Sequence, residues 1–176
     1  SRDKIPMAGD PKFAPSPDQI AAIKTILASR ISILTGIPGS GKTTVVKQIM
    51  NAAFDVGFKV LLCAPTGMAA LRMKNCCNYD ATTIHRALNK SDGITLRTAD
   101  VVIVDELSMI SIELFRDLVT SLQNRAMLLF VGDPNQLPSI DPGNVLRDLI
   151  DSGEIPTCRL TQFHRQAEGS LISQNI

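Results

Sequence analysis

Short apolar runs recur along the chain, and each gives way to polar or glycine-rich sequence and then to helical periodicity. The runs lie at 31–34, 60–63, 101–104 and 127–131, with a weaker fifth at 157–160. Runs this short and this uniformly apolar predict strands buried on both faces. Their alternation with helices predicts an α/β sandwich of three layers around a mainly parallel central sheet. After the third run, Ile112, Phe115, Val119 and Leu122 are spaced to share one helical face. Ahead of the first run, Ser16, Pro17, Asp18 and Gln19 open a helix: a capping serine, proline at the first helical position and an acid in the first turn. Residues 1–15 are polar and carry Pro6, Pro11 and Pro15, and read as a linker or boundary before one domain at 16–176.

Composition narrows the class without choosing a partner. A chain of 176 residues with 44% hydrophobic and 20% charged content suits one globular domain with a substantial core. No apolar run approaches the length of a membrane span, so no membrane association is expected. Cys63, Cys76, Cys77 and Cys158 show no metal-binding spacing. Reduced thiols and a cytoplasmic setting follow. Eighteen basic against seventeen acidic residues leave a net charge of +1, which neither demands nor excludes nucleic acid. With 4% aromatic residues and no Trp, a base-stacking platform is disfavoured.

The candidate chemistry lies just after the apolar runs, where strands of a parallel sheet present ligands at their carboxyl ends. The stretch from Gly36 to Thr43 matches the phosphate-loop pattern G-x-x-x-x-G-K-S/T at every fixed position. In this pattern Gly36, Pro38, Gly39, Ser40 and Gly41 curl the backbone so that its amides face one anion. Lys42 reaches the β- and γ-phosphates, Thr43 offers a hydroxyl to Mg²⁺, and Thr44 continues the helix start. These residues predict binding of a nucleoside triphosphate.

Asp105 and Glu106 follow the third run. An acid at that place in a phosphate-loop protein holds Mg²⁺, and a second beside it can polarise a water, so the pair favours hydrolysis over transfer to an acceptor hydroxyl. Gln136 follows the fourth run within ordinary turn chemistry, and is either a turn residue or an amide that senses a γ-phosphate. After the second run, Pro65 and Thr66 precede a helix that Thr66 either caps or shares with a phosphodiester. Thr83 and His85 sit at the start of a short helix, structural or strand-facing. Arg165, after the fifth run, is a surface residue or a γ-phosphate contact.

In order, these segments resemble the N-terminal motor domain of superfamily 1 helicases, and most closely the RecD-like branch of superfamily 1B. The likeness runs from Ser16 to Gln166 through Gln19, GIPGSGKTT, APTGMAA, TTIHRAL, VIVDELSM, VGDPNQLPSI and LTQFHRQ. The resemblance implies a RecA-like phosphate-loop ATPase that couples hydrolysis of Mg-ATP to binding and 5′→3′ translocation on single-stranded DNA, with RNA an open alternative. By the same resemblance Gln19 reads adenine, Lys42 and Thr43 grip phosphate and metal, and Asp105 and Glu106 serve as metal ligand and base. Gln136 and Arg165 touch the γ-phosphate, and Pro65, Thr66, Thr83 and His85 line the strand. Gln19 is contested, because it also completes a Ser-x-x-Gln capping box with Ser16. The family's second RecA-like domain has no counterpart in this sequence, and is expected in cis or from a partner chain. Two other readings stay open: a non-catalytic nucleic-acid-binding module, and a phosphate-loop ATPase that remodels a protein.

Overall fold

The computed structural model describes residues 14–136 and 143–162. All five apolar runs become strands: β1 (Ile31–Gly36), β2 (Val60–Ala64), β4 (Val101–Val104), β5 (Met127–Gly132) and β6 (Thr157–Leu160). A further strand, β3 (Ala81–Thr83), is only three residues long and half-buried throughout, too short to show a period. The helices are α1 (Pro17–Leu27), α2 (Lys42–Asp55), α3 (Gly67–Cys77), α4 (Ile84–Asn89), α5 (Ile112–Thr120) and α6 (Val145–Asp151).

The strands form one sheet in the order β3-β2-β4-β5-β1-β6, and every neighbouring pair is parallel. Successive residues of a strand point to opposite faces, so a sheet covered on both sides needs apolar residues at every position. The core divides accordingly. Leu34, Leu62, Ile103 and Leu129 pack with Ile26 of α1, Ile49 of α2 and Met73 of α3 on one face. Their immediate neighbours Ile33, Leu61, Val102 and Leu128 pack with Ala87 of α4, Leu118 of α5 and Leu146 of α6 on the other. The α/β sandwich expected from the sequence is the observed fold. Among the described residues no helix is long and apolar enough to cross a membrane.

The face of α5 differs from the expected one. Leu118 is fully buried, and Leu114, Phe115 and Leu122 pack beside it, whereas Ile112 and Val119 are 50% and 40% exposed. The buried stripe follows the i, i+4 row of Leu114 and Leu118 rather than the row through Ile112 and Val119, and Leu122 lies beyond the last helical residue.

The order of strands decides which residues meet. Because β5 lies between β1 and β4, the loop after β5 emerges between the phosphate loop after β1 and the acids after β4. Gly132 ends β5 where a Cβ would stand 2.8 Å from Leu146 Cδ2, so a side chain there would have to displace the leucine that packs α6 against that strand end.

Candidate functional site

The phosphate loop joins β1 to α2 through two glycines at positive φ, Gly39 (83°) and Gly41 (85°). Gly41 is the N-cap of α2 and provides no side-chain cap, so the first amides of that helix are left for another acceptor. Gly36 is held to glycine by contact: a Cβ there would lie 2.4 Å from Ser40 Oγ and 3.0 Å from the Leu160 carbonyl oxygen. Ser40 Oγ is buried without a hydrogen-bond partner among the described residues. Uncapped amides and an orphaned buried hydroxyl are what a phosphate group would satisfy, and the loop fits one.

Lys42 Nζ donates to the carbonyl oxygens of Gly36 (2.5 Å) and Ile37 (3.2 Å), which hold the ammonium at the mouth of the loop. Burial pulls this ammonium below the ordinary lysine range; Asp133, Asp105 and Glu106 pull it back up, and Arg72 pushes it further down. One cleft is lined by Pro38, Lys42, Thr43, Asp105, Glu106 and Gln136, with Arg72 and Asp133 beside them.

Asp105 continues the β4–β2 ladder, its amide donating to the Cys63 carbonyl at 2.9 Å, and its Oδ1 accepts from the Glu106 amide at 2.9 Å. Burial raises its carboxyl above the ordinary range, against the lowering effect of that amide. Glu106 has left-handed backbone, φ 56°, a conformation that L residues other than glycine adopt rarely. Backbone strain of this kind concentrates at functional sites. A single 3-10 turn, Leu107–Met109, follows, and Ser108 Oγ donates to Gln136 Oε1 at 3.5 Å, joining the segment after β4 to the one after β5.

Gln19 is 4% exposed and has both polar ends engaged. Its Oε1 accepts from the Ser16 amide at 3.0 Å, completing the capping box, and its Nε2 donates to the Gly41 carbonyl at 3.4 Å. It thereby ties the start of α1 to the phosphate loop. Beyond these contacts the amide keeps one hydrogen and one lone pair.

Further along the same edge of the sheet, Thr66 caps α3 by accepting from the Ala69 amide at 3.2 Å, and Thr83 caps α4 by accepting from the Arg86 amide at 3.2 Å. Ala64 and Thr83 are partners in the β2–β3 register, so these two helix starts are neighbours. A threonine that accepts through a lone pair keeps its hydroxyl hydrogen free to donate, so capping and holding a phosphodiester are compatible here. Thr66 and His85 are exposed and Pro65 is half-buried. β2 is three strands from β1, roughly 14 Å at the usual strand spacing, so the two helix starts are separate from the phosphate loop. Arg165 lies outside the described residues.

Residues 14–175 match the AAA domain family. The chain belongs to that family. This AAA domain is 36% identical over 165 residues to the ATP-dependent RecD2 DNA helicase of Deinococcus radiodurans, covering 90% of the chain and 23% of that protein. It is 31% identical to the RecBCD enzyme subunit RecD of Mycolicibacterium smegmatis, covering 89% of the chain and 34% of that protein. The chain therefore spans well under half the length of these relatives. The likeness to RecD-type helicases read from the motifs is borne out by them. Among solved structures, the Pif1 helicase from Candida albicans superposes with a TM-score of 0.67 at 22% identity, covering 87% of the chain and 41% of that protein. Pif1 from Bacteroides with ADP-AlF4 gives 0.60 at 19% identity, covering 86% of the chain and 43% of that one. At such identities the shared feature is the fold.

Two residues of this AAA domain's cleft, Asp133 and Arg72, and Ser108, which bonds to the cleft residue Gln136, received no role from the motifs. Asp133 is 4% exposed and, after burial, the leading influence on Lys42. Its position directly after β5 was a signal, but a Gly-Asp-Pro-Asn turn explains an aspartate without invoking a site. Ser108 gives no local sign of its bond to Gln136. Arg72 lies on α3, and only the tertiary fold carries it to Glu106, with which Nη2 forms an ion pair.

Proposed function

We propose that this chain is the ATP-binding and ATP-hydrolysing half of a DNA helicase motor, coupling hydrolysis to engagement of single-stranded DNA. One observation carries the reading: Lys42, Thr43, Asp105, Glu106 and Gln136 come from three separate strand ends into one cleft, at the edge of the sheet that also holds the starts of α3 and α4. The relatives named DNA helicases support the same assignment. Translocation from 5′ to 3′, an intracellular setting and a second RecA-like domain, in cis or from a partner, belong to this proposal.

The amides at the start of α2 and the Lys42 ammonium bind the phosphates and neutralise charge that builds on them in the transition state. Glu106 takes the proton of the attacking water, as the P–O bond to the water forms and the bond to the leaving diphosphate breaks. Thr43 and Asp105 are the side chains that would hold Mg²⁺; two protein oxygens suit an ion that keeps most of its own waters, and when bound it supplies further positive charge at the phosphates. Gln136, braced by Ser108, faces the γ-phosphate position from the neighbouring strand end. Arg165 completes that contact in the proposal. Gln19 orders the loop through Gly41 and, in the proposal, reads adenine with the hydrogen and lone pair its present contacts leave free. Pro65, Thr66, Thr83 and His85 receive the strand.

The test is binding of a fluorescent single-stranded oligonucleotide with and without a Mg²⁺-bound, non-hydrolysable ATP analogue, together with ATPase rates. Binding that changes with the analogue, and a rate at least about a hundredfold lower in Glu106→Gln, are expected. A chain that binds the analogue but no oligonucleotide in either state would overturn the strand assignment of Pro65, Thr66, Thr83 and His85 here and mean that the strand site needs the second domain.

A further inference from the structure

Glu106 is already engaged within its cleft. Arg72 Nη2 donates to Glu106 Oε1, tying α3 to the loop after β4 across 34 positions of sequence. The carboxylate is 12% exposed and the guanidinium side chain 60%, so Arg72 reaches in from the solvent side over a nearly buried acid. A general base must lie within hydrogen-bond reach of the proton it accepts. The oxygen that accepts from Arg72 is directed to the arginine, and Glu106 itself stands in left-handed backbone at φ 56°.

Arg72 also stands on a helix with a separate role. α3 begins at the Thr66 cap, and Arg72 follows six residues later, about 9 Å along a rigid element at 1.5 Å per residue. Whatever docks at the Thr66 hydroxyl and the first amides of α3 acts on the same body that carries the guanidinium. That places a strand contact and a contact to the candidate base on one lever.

We infer that Arg72 is a positioning residue that latches Glu106 away from the attacking water, and that a strand docked at the start of α3 releases it. The latch rests on the ATPase reading above and adds to it the means by which nucleic acid stimulates turnover. Because most of Arg72 is exposed, losing the ion pair affects stability little and is read in activity.

The experiment is steady-state ATPase of the full chain at varied Mg-ATP, with and without saturating oligo-dT, for wild type, Arg72→Gln, Arg72→Lys, Lys42→Ala and the double variant Arg72→Gln/Glu106→Gln. Arg72→Gln keeps helix propensity, and its thermal midpoint checks folding. The expected result is a strand-free kcat raised about tenfold, part of the range a general base supplies, with KM for ATP unchanged and strand stimulation correspondingly reduced. Arg72→Lys, which keeps a charged donor, should fall between, and the double variant should lose the gain. An unchanged or lower strand-free kcat in folded Arg72→Gln overturns the latch. A raised KM also overturns it and makes Arg72 a phosphate ligand instead. A wild-type rate with oligo-dT no higher than that of Lys42→Ala overturns the ATPase reading, and the latch with it; a wild-type rate well above that control with Arg72→Gln unchanged overturns the latch alone.

Discussion

Two kinds of helix start stand in this domain. α1, α3, α4, α5 and α6 begin at Ser16, Thr66, Thr83, Ser111 and Asn144, and each of those side chains accepts from the amide three residues on. α2 begins at Gly41, in left-handed conformation and with no side-chain cap. Among the described residues five helix starts have a side-chain cap and one is left open. An anion site can be made from such common parts, by withholding the cap at one helix so that a ligand can complete it. The contrast also separates the two ends of the proposed function. At α2 the ligand takes the place of a cap, whereas at α3 and α4 a strand would bind alongside caps that already exist.

The contrast breaks most sharply at Gly41. Gly41→Ala places a methyl where φ is 85°. A left-handed L residue costs about 1–2 kcal/mol. Distortion of one or two charge-assisted amide contacts should lower nucleotide affinity by about tenfold to a hundredfold. Titration of a fluorescent ATP analogue measures the second effect and denaturant unfolding the first. Affinity kept while stability falls would mean that the uncapped start of α2 does not hold phosphate.

Thr66 tests the other kind of start. Thr66→Asp keeps an oxygen that accepts from the Ala69 amide but removes the hydroxyl donor and adds negative charge. Oligonucleotide affinity should fall by about tenfold with stability unchanged. Thr66→Ala removes the cap as well and should cost about 1 kcal/mol of stability. Equal oligonucleotide affinity in wild type and Thr66→Asp would leave that threonine a cap and nothing more.

The smallest effect concerns what the cleft beside that open end costs the fold. Burial holds the Asp105 carboxyl above its ordinary value of 3.8, so the folded chain binds that proton more tightly than the unfolded chain does. Stability from this group is therefore greatest below 3.8 and is lost as pH rises through the raised value. Asp105→Asn removes the penalty at neutral pH. Its thermal midpoint should exceed that of wild type at pH 7, and the gain should vanish as pH falls toward 3.8, while ATPase is lost. A gain of equal size at both pH values would assign the effect to packing.

Much of this arrangement was legible in the chain, for identifiable physical reasons. β1, β2, β4, β5 and β6 are long enough and apolar enough to announce strands buried on both faces. Lys42, Thr43, Asp105 and Glu106 stand out by local spacing, because each closely follows a strand end, and the fold brings them to one cleft. β3 escaped because three half-buried residues have no period, and the buried row of α5 because two apolar rows overlap on one helix. Arg72 and Ser108 escaped for a deeper reason. Each matters only through a partner 34 or 28 positions away, and no local pattern encodes such a pairing.

The uniform direction of the six strands has an engineering consequence. With every carboxyl end at one rim, the chemistry gathers there, and the opposite rim is left to plain connections. Gly57 and Gly153 stand on that far side at φ 80° and 68°, and a Cβ at either would meet nothing within 4 Å. Exposed turns of this sort accept insertions readily. A reporter peptide or surface tether spliced at Gly57 would hold the domain by its back, with its working rim turned outward.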